Sequence, residues 1–105
     1  MVASVTSREK GRISVYNNGG YVAKFSVAFD FHGEKMLKES GQFTLGVTKT
    51  ITIPEGATDL ELKVEEYWFI GSLTDIFVET FPGPVEKCYK IWGTTLSPNH
   101  GEIDC

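Results

Sequence analysis

Side chains that can bind metal ions recur at alternate positions in two short segments. These are Asp30-Phe31-His32-Gly33-Glu34 and His100-Gly101-Glu102-Ile103-Asp104. Alternate residues of a strand share one face, so each set could offer oxygen and nitrogen ligands to one ion. No further histidine and no cysteine pair completes either set, and a solvated strand edge explains both. We therefore predict no metal site and no cofactor.

The two cysteines, Cys88 and Cys105, allow several kinds of chemistry. Cys88 could act as a nucleophile beside His32 or His100, but a cysteine inside an alternating strand usually serves packing. A disulfide to Cys105 would close a C-terminal loop. We expect instead a half-buried Cys88 and a free, exposed Cys105. Because the chain also lacks a glycine-rich phosphate loop and a Gly-x-Ser-x-Gly elbow, we predict that it is not an enzyme.

Length and composition narrow the class of protein. The 105 residues suit one domain, and 41% hydrophobic with 23% charged residues is ordinary globular composition. Ten basic and fourteen acidic residues give a net charge of −4, which argues against nucleic acid and anionic lipid as partners. The sequence shows no membrane-spanning apolar run and no signal peptide, so we leave the localisation open, with secretion or release as one option.

Apolar and polar residues alternate with a period of two along most of the chain. In Tyr21–Phe31 the odd-numbered residues are apolar, which predicts a long strand with one buried face. The Asn17-Asn18-Gly19-Gly20 segment before it predicts a hairpin turn. Further strands are predicted over residues 12–16, 42–45, 48–53, 59–67, 75–81, 85–93 and 102–104.

This pattern predicts an all-β fold, because no segment has an apolar stripe at helical spacing. We expect an antiparallel β-sandwich of seven or eight strands over residues 12–105, preceded by a flexible arm at residues 1–11. The predicted core contains Phe25, Val27, Phe29, Ile51, Leu60, Leu62 and Val64.

Apolar residues at predicted turns are the strongest functional signal. Tyr67-Trp68-Phe69-Ile70 interrupts the alternation, Leu45-Gly46-Val47 falls at a break between strands, and Leu96 follows the end of a strand. Any one of these residues could cap the core. Several apolar loop tips together favour a surface for a partner or a membrane.

The segment Ile91-Trp92-Gly93-Thr94-Thr95-Leu96, with Pro98 after it, resembles the end of the cholesterol-dependent, thiol-activated cytolysins. The similarity covers residues 12–104, and further segments follow in the order of that family's C-terminal domain. These are Gly20-Tyr21-Val22-Ala23, residues 41–54, residues 60–64 and Phe81-Pro82.

This resemblance implies a β-sandwich whose tip loops enter cholesterol-rich membrane. The family's Thr-Leu pair, which recognises sterol, corresponds to Thr95 and Leu96. The neighbouring tip loops then contain Gly20, Leu45 and Val47.

The chain departs from the family in two respects. Where the family has its tryptophan-rich undecapeptide, this chain has a shorter segment from Glu66 to Asp75, without the reactive cysteine or the arginine. The 105 residues contain no counterpart of the family's larger upstream domains, which oligomerise and insert a barrel. We therefore expect a module that does not form pores by itself.

Two alternatives remain open beside a sterol-binding module. The aromatic loop at Tyr67, Trp68, Phe69 and Ile70 could bind a glycan or a protein receptor, as in a lectin-like sandwich. The apolar loops could also join copies of the chain into a homo-oligomer.

Overall fold

A computed structural model describes residues 9–68 and 72–105, which form a sandwich of two four-stranded sheets. One sheet has the strand order β4-β1-β7-β8 and the other β3-β2-β5-β6. The described residues contain no helix that could cross a membrane. The strands are β1 (Glu9–Gly19), β2 (Ala23–Phe31), β3 (Glu34–Glu39), β4 (Thr48–Pro54), β5 (Thr58–Tyr67), β6 (Leu73–Phe81), β7 (Glu86–Thr94) and β8 (Ser97–Ile103).

The core fills the space between the two sheets, as the alternation predicts. Strand β2 alternates buried and half-buried residues from Ala23 onward, and in β5 every second residue from Leu60 is buried. Burying one face of each sheet removes apolar side chains from water, which is the main force that holds the sheets together. All seven predicted core residues are buried: Phe25, Val27, Phe29, Ile51, Leu60, Leu62 and Val64. The predicted all-β sandwich is confirmed.

The hairpin predicted at Asn17-Asn18-Gly19-Gly20 is wrong. Strand β1 continues through Gly19 and pairs in parallel with β7, so that Gly19 lies beside Gly93. The chain then crosses to the other sheet, where β2 begins at Ala23. These turn-forming residues lie at the end of β1, after which the chain passes to the other sheet. Long-range pairing with β7 outweighs their local preference for a turn.

The segment between β2 and β4 also differs from the prediction. Strand β3 was not predicted, because it is an exposed edge strand rich in charge and without a buried face. The predicted strand over residues 42–45 is reduced to one bridge, in which Phe43 pairs with Ala23. Phe43 is buried and packs edge-on against Phe25, with ring centroids 6.0 Å apart. One inward aromatic residue therefore anchors an otherwise irregular segment.

The prediction of unpaired cysteines is wrong, because Cys88 and Cys105 form a disulfide. Strands β7 and β8 pair so that Cys88 lies opposite Ile103. That register returns the C-terminus to β7 and brings the two Cα atoms to 5.3 Å, within the usual range for a disulfide. The sequence separation of 17 residues did not reveal this antiparallel return.

Candidate functional site

The apolar loops predicted from the sequence gather at one end of the sandwich, which we call the tip. The tip is the end at which β1, β5 and β7 finish and β2, β4, β6 and β8 begin. Three predicted residues project there as exposed side chains: Leu96 is 81% exposed, Leu45 62% and Val47 37%. Large apolar side chains that stay in water at one end of a domain indicate a contact surface.

Thr95 and Leu96 form a two-residue hairpin loop between Thr94, the last residue of β7, and Ser97, the first residue of β8, which pair with each other. Gly93 allows the backbone of β7 to turn into this loop close to β8. Its φ is 97°, and a Cβ there would lie 2.4 Å from the carbonyl oxygen of Ser97. Any other residue would be strained and would clash with that backbone atom. The loop therefore holds the exposed Leu96 on a short, rigid support, with Thr95 half-buried beside it.

Asn17 joins the 43–47 loop to the end of β1 through hydrogen bonds inside the tip. Its side-chain amide donates to the carbonyls of Tyr21 (2.9 Å) and Phe43 (3.2 Å), and its side-chain oxygen accepts from the N–H of Gly19 (2.8 Å). Its backbone N–H donates to Val47 at 3.0 Å. Because Asn17 is fully buried, these bonds offset the loss of its contacts with water.

The Gly20-Tyr21 connection ties the β7–β8 hairpin to the rest of the tip. The N–H of Gly20 donates to the carbonyl of Gly93 at 3.0 Å, and the Tyr21 hydroxyl donates to the carbonyl of Trp92 at 3.0 Å. The Tyr21 ring lies over Gly19, where a Cβ would come within 2.6 Å of it. Gly20 thus lies beside the hairpin that carries Thr95 and Leu96.

Thr95 and Leu96 also meet part of the aromatic segment that was predicted as an alternative site. Tyr67, Trp68, Thr95 and Leu96 together line a groove of about 330 Å³ at the tip. Backbone bonds hold the aromatic side of the groove, from Tyr67 N–H to Val22 (2.8 Å) and from Trp68 N–H to Ser72 (2.9 Å). The other two residues of that prediction, Phe69 and Ile70, lie outside the described residues. Thr95 and Leu96 of the first predicted site therefore share one surface with Tyr67 and Trp68 of the second.

Leu45 and Val47 form a second apolar projection at the same end. Strand β1 lies between β4, which follows Val47, and β7, which precedes Thr95. Two strand spacings separate β4 from β7, or about 10 Å. Gly46 between the two residues has a φ of 89°, and its N–H donates to the carbonyl of Asn17 at 2.7 Å. The tip therefore presents two separate apolar contacts rather than one.

Glu66 is a tip residue that the sequence prediction missed. It continues the inward alternation of Leu62 and Val64 at the end of β5, and only 1% of its surface is exposed. Within the described parts of the chain neither carboxyl oxygen has a hydrogen-bond partner. This burial raises the pKa of Glu66 above the ordinary carboxyl value. The sequence could have revealed this buried acid, because the last of the alternate, inward-facing positions of β5 is a glutamate.

Tyr21 is coupled electrostatically to this acid. Burial, and secondly the nearby Glu66 carboxyl, raise the pKa of the Tyr21 phenol to about 12. The phenol is therefore neutral at physiological pH and remains a hydrogen-bond donor to Trp92.

Four residues of the two alternating sets of potential metal ligands contact other side chains. Asp30 pairs with Lys35 at 3.1 Å and His32 stacks on Phe31. In the second set, His100 stacks on Phe77, and Glu102 pairs with Lys87 at 3.1 Å. Across residues 9–68 and 72–105 no group of three His, Cys, Asp or Glu side chains is placed to hold a metal ion.

Solved toxin structures share this fold. Suilysin from Streptococcus suis matches with a TM-score of 0.68 and 21% identity, over 90% of this chain and 23% of suilysin. Listeriolysin O matches with 0.66 and 21%, over 90% of this chain and 22% of the toxin. The isolated membrane-binding domain of pneumolysin matches with 0.67 and 21%, over 90% of this chain and 96% of that domain.

The chain therefore spans less than a quarter of the two full-length toxins and nearly all of the isolated domain. A comparison with curated protein sequences gave no significant match. At the level of sequence families, residues 12–99 match the model of the thiol-activated cytolysin beta sandwich domain. That match covers most of the chain, and the chain therefore belongs to the thiol-activated cytolysin β-sandwich domain family.

Proposed function

We propose that this chain is a non-enzymatic recognition module that binds cholesterol-containing membrane through its tip. The observation that carries the proposal is Leu96, whose side chain is 81% exposed on a rigid two-residue hairpin loop. The fold it shares with the membrane-binding domain of pneumolysin supports the proposal.

Apolar transfer supplies most of the expected binding energy. Moving a leucine side chain such as Leu96 from water into the bilayer contributes about 2 kcal/mol, and Leu45 and Val47 add to it. The hydroxyl of Thr95 forms one hydrogen bond to the sterol hydroxyl, which contributes about 1 kcal/mol net. A net charge of −4 gives no attraction to anionic lipid. We therefore expect a modest affinity for one chain and a strong gain when several chains share one vesicle.

The test is sedimentation of the protein with vesicles of phosphatidylcholine, with and without cholesterol. We expect the wild type to sediment with the cholesterol vesicles only. The double variant Thr95→Gly, Leu96→Gly should stay in the supernatant while its thermal midpoint changes little. Leu37→Ala is the matched control, because Leu37 is 59% exposed on β3, away from the tip. Equal sedimentation of the double variant and the wild type would refute the role of the pair.

We propose further that the chain alone does not perforate membranes. It spans less than a quarter of the full-length toxins to which it is similar. Red cells mixed with the purified protein should retain their haemoglobin at every protein concentration. Haemoglobin release by the pure chain would contradict this.

A second candidate function is binding of a glycan or a protein receptor in the same groove. The observation that favours it is the pair of half-buried aromatic residues, Tyr67 and Trp68, which line the groove together with Thr95. Aromatic faces stack on sugar rings, and a pneumolysin structure with 21% identity is described as that of a sugar-binding protein.

A glycan array run beside the vesicle assay separates the two functions. Glycan binding that Trp68→Ala abolishes, with no sedimentation by cholesterol vesicles, would favour the second. Sedimentation velocity on the same samples tests a third use of the tip, the joining of copies of the chain into a homo-oligomer.

A further inference from the structure

We propose that Glu66 is a proton-controlled latch that keeps the tip closed while its carboxyl is neutral and loosens it when the carboxyl ionises. The inference concerns regulation of the tip and rests on the proposed function only for its consequence at a membrane. It starts from the position of Glu66 at the end of β5, next to the two residues that form the aromatic side of the groove.

The first step is the state of the carboxyl group. The inward-facing side of β5 reads Leu60, Leu62, Val64, Glu66, and all four residues are at most 1% exposed. Among the described residues both oxygens of Glu66 lack a hydrogen bond. A buried carboxyl can remain neutral at such a site, whereas a carboxylate without partners carries a large penalty for leaving water. The closed tip therefore favours the protonated acid.

The second step concerns the charged groups around this acid. Its neighbours in register are Ala23 on β2 and Thr74 on β6, neither of which titrates. Lys24, Glu65 and Asp75 belong to the adjacent register position, on the outward face of the sheet. Tyr21 is the titratable group that couples to Glu66, and it stays neutral below a pH of about 12. Within the described residues no base pairs with Glu66, so ionisation has to be satisfied by water.

The third step is how water reaches the carboxylate. Tyr67 is the last residue of β5, opposite Leu73 at the start of β6, and the N–H of the next residue, Trp68, donates to the carbonyl of Ser72. The pairing of β5 with β6 ends at this point, and opening the end of a strand pair disrupts less structure than opening the centre of a sheet. Ionised Glu66 gains water when this segment moves outward. Because Tyr67 and Trp68 form one side of the groove, that movement dismantles the groove beside Thr95 and Leu96.

The sign of the effect on stability follows from the raised pKa. The stability associated with neutral Glu66 is fully present below the ordinary carboxyl pKa and is lost as pH rises through the higher folded-state pKa. A neutral side chain at this position keeps that stability at every pH. The difference in thermal midpoint between Glu66→Gln and the wild type should therefore be near zero in acid and reach several degrees at neutral pH.

The experiment follows tryptophan emission and acrylamide quenching of the protein in solution, without vesicles, between about pH 4 and pH 8. This range begins near the ordinary carboxyl pKa and extends above it. The wild type should shift to the red and become easier to quench as pH rises, with a midpoint above the ordinary carboxyl value. Glu66→Gln should keep the acid spectrum throughout. Glu61→Gln, the same change at an exposed position of β5, should behave as the wild type.

Two further variants make the test decisive. Trp68→Phe should abolish the pH-dependent signal, which assigns it to this ring rather than to Trp92. Glu66→Met replaces the acid by an apolar chain of similar length and should match Glu66→Gln. A wild type with the same pH profile as Glu66→Gln, a signal that survives in Trp68→Phe, or failure of both neutral variants to fold would overturn the proposal.

Sedimentation with cholesterol vesicles at the same pH values tests whether the latch also controls membrane binding. Stronger binding in acid that Glu66→Gln extends to neutral pH supports the latch as a regulator of membrane contact. If no vesicle binds at any pH while the spectral change in solution is present, the latch stands and the proposed function fails.

Discussion

The hydroxyl of Tyr21 donates a hydrogen bond of 3.0 Å to the backbone carbonyl of Trp92, at the base of the hairpin that carries Thr95 and Leu96. Tyr21 lies in the connection between β1 and β2, which belong to different sheets. This one side chain therefore joins the crossover between the sheets to the most exposed loop of the tip.

Tyr21→Phe should weaken this attachment and keep the fold. The variant removes the hydroxyl and leaves the Trp92 carbonyl without this donor, which should lower the free energy of unfolding by about 1 kcal/mol. Urea unfolding measures the change. Tyr16→Phe, a half-buried tyrosine on the outward face of β1, is the control and should be close to neutral. Equal midpoints for all three proteins would contradict the prediction.

Asn17→Ala should be more damaging than its size suggests. Asn17 is fully buried and its side chain makes three hydrogen bonds to backbone groups of the tip. The loss of all three leaves buried backbone groups unsatisfied, and we expect a cost of about 2 to 4 kcal/mol in urea unfolding. Asn18→Ala, at the exposed neighbouring position, should stay within about 0.5 kcal/mol of the wild type. Similar losses for the two variants would show that the hydrogen bonds contribute nothing specific.

Reduction of the Cys88–Cys105 disulfide should destabilise the protein and leave the tip intact. The bond closes a loop over a sequence separation of 17 residues, for which the chain-entropy estimate is about 3 kcal/mol. The double variant Cys88→Ser, Cys105→Ser should unfold at a lower temperature and sediment with cholesterol vesicles as the wild type does. A reducing agent should lower the midpoint of the wild type alone. An unchanged wild-type midpoint under full reduction would count against a stabilising role.

Leu62→Ala tests the core on which the sheets depend. Leu62 is fully buried in the centre of β5, and its truncation removes packing and leaves a cavity. The free energy of unfolding should fall by about 2 to 5 kcal/mol. The control is Leu37→Ala, since Leu37 is 59% exposed and should lose little. A small effect at Leu62 would mean that the core collapses around the missing side chain.

Local patterns predicted the buried faces and the end of the strand before Leu96, because each depends on residues that are close in sequence. The period of two in Tyr21–Phe31 and Asp59–Tyr67 identifies which side chains face the core. The tight Thr95-Leu96 hairpin was not predicted, because the last strand was expected only at residues 102–104, whereas β8 begins at Ser97 and pairs with β7.

Other features needed the tertiary structure, because they depend on contacts between residues far apart in sequence. Asn17–Gly20 has the residues of a hairpin, and only the parallel pairing of β1 with β7 assigns it to a crossover between sheets. Likewise, the return of β8 along β7 decided that the two cysteines meet.

The sequence by itself determined that this chain is a β-sandwich with apolar loops, because alternation and turn residues are local properties. The tertiary structure decided that Tyr67 and Trp68 share a groove with Thr95 and Leu96. It also decided that Glu66 lies buried without a hydrogen-bond partner among the described residues. Whether a side chain finds a partner or shares a surface depends on which strands become neighbours, and that follows from the packing of the whole chain.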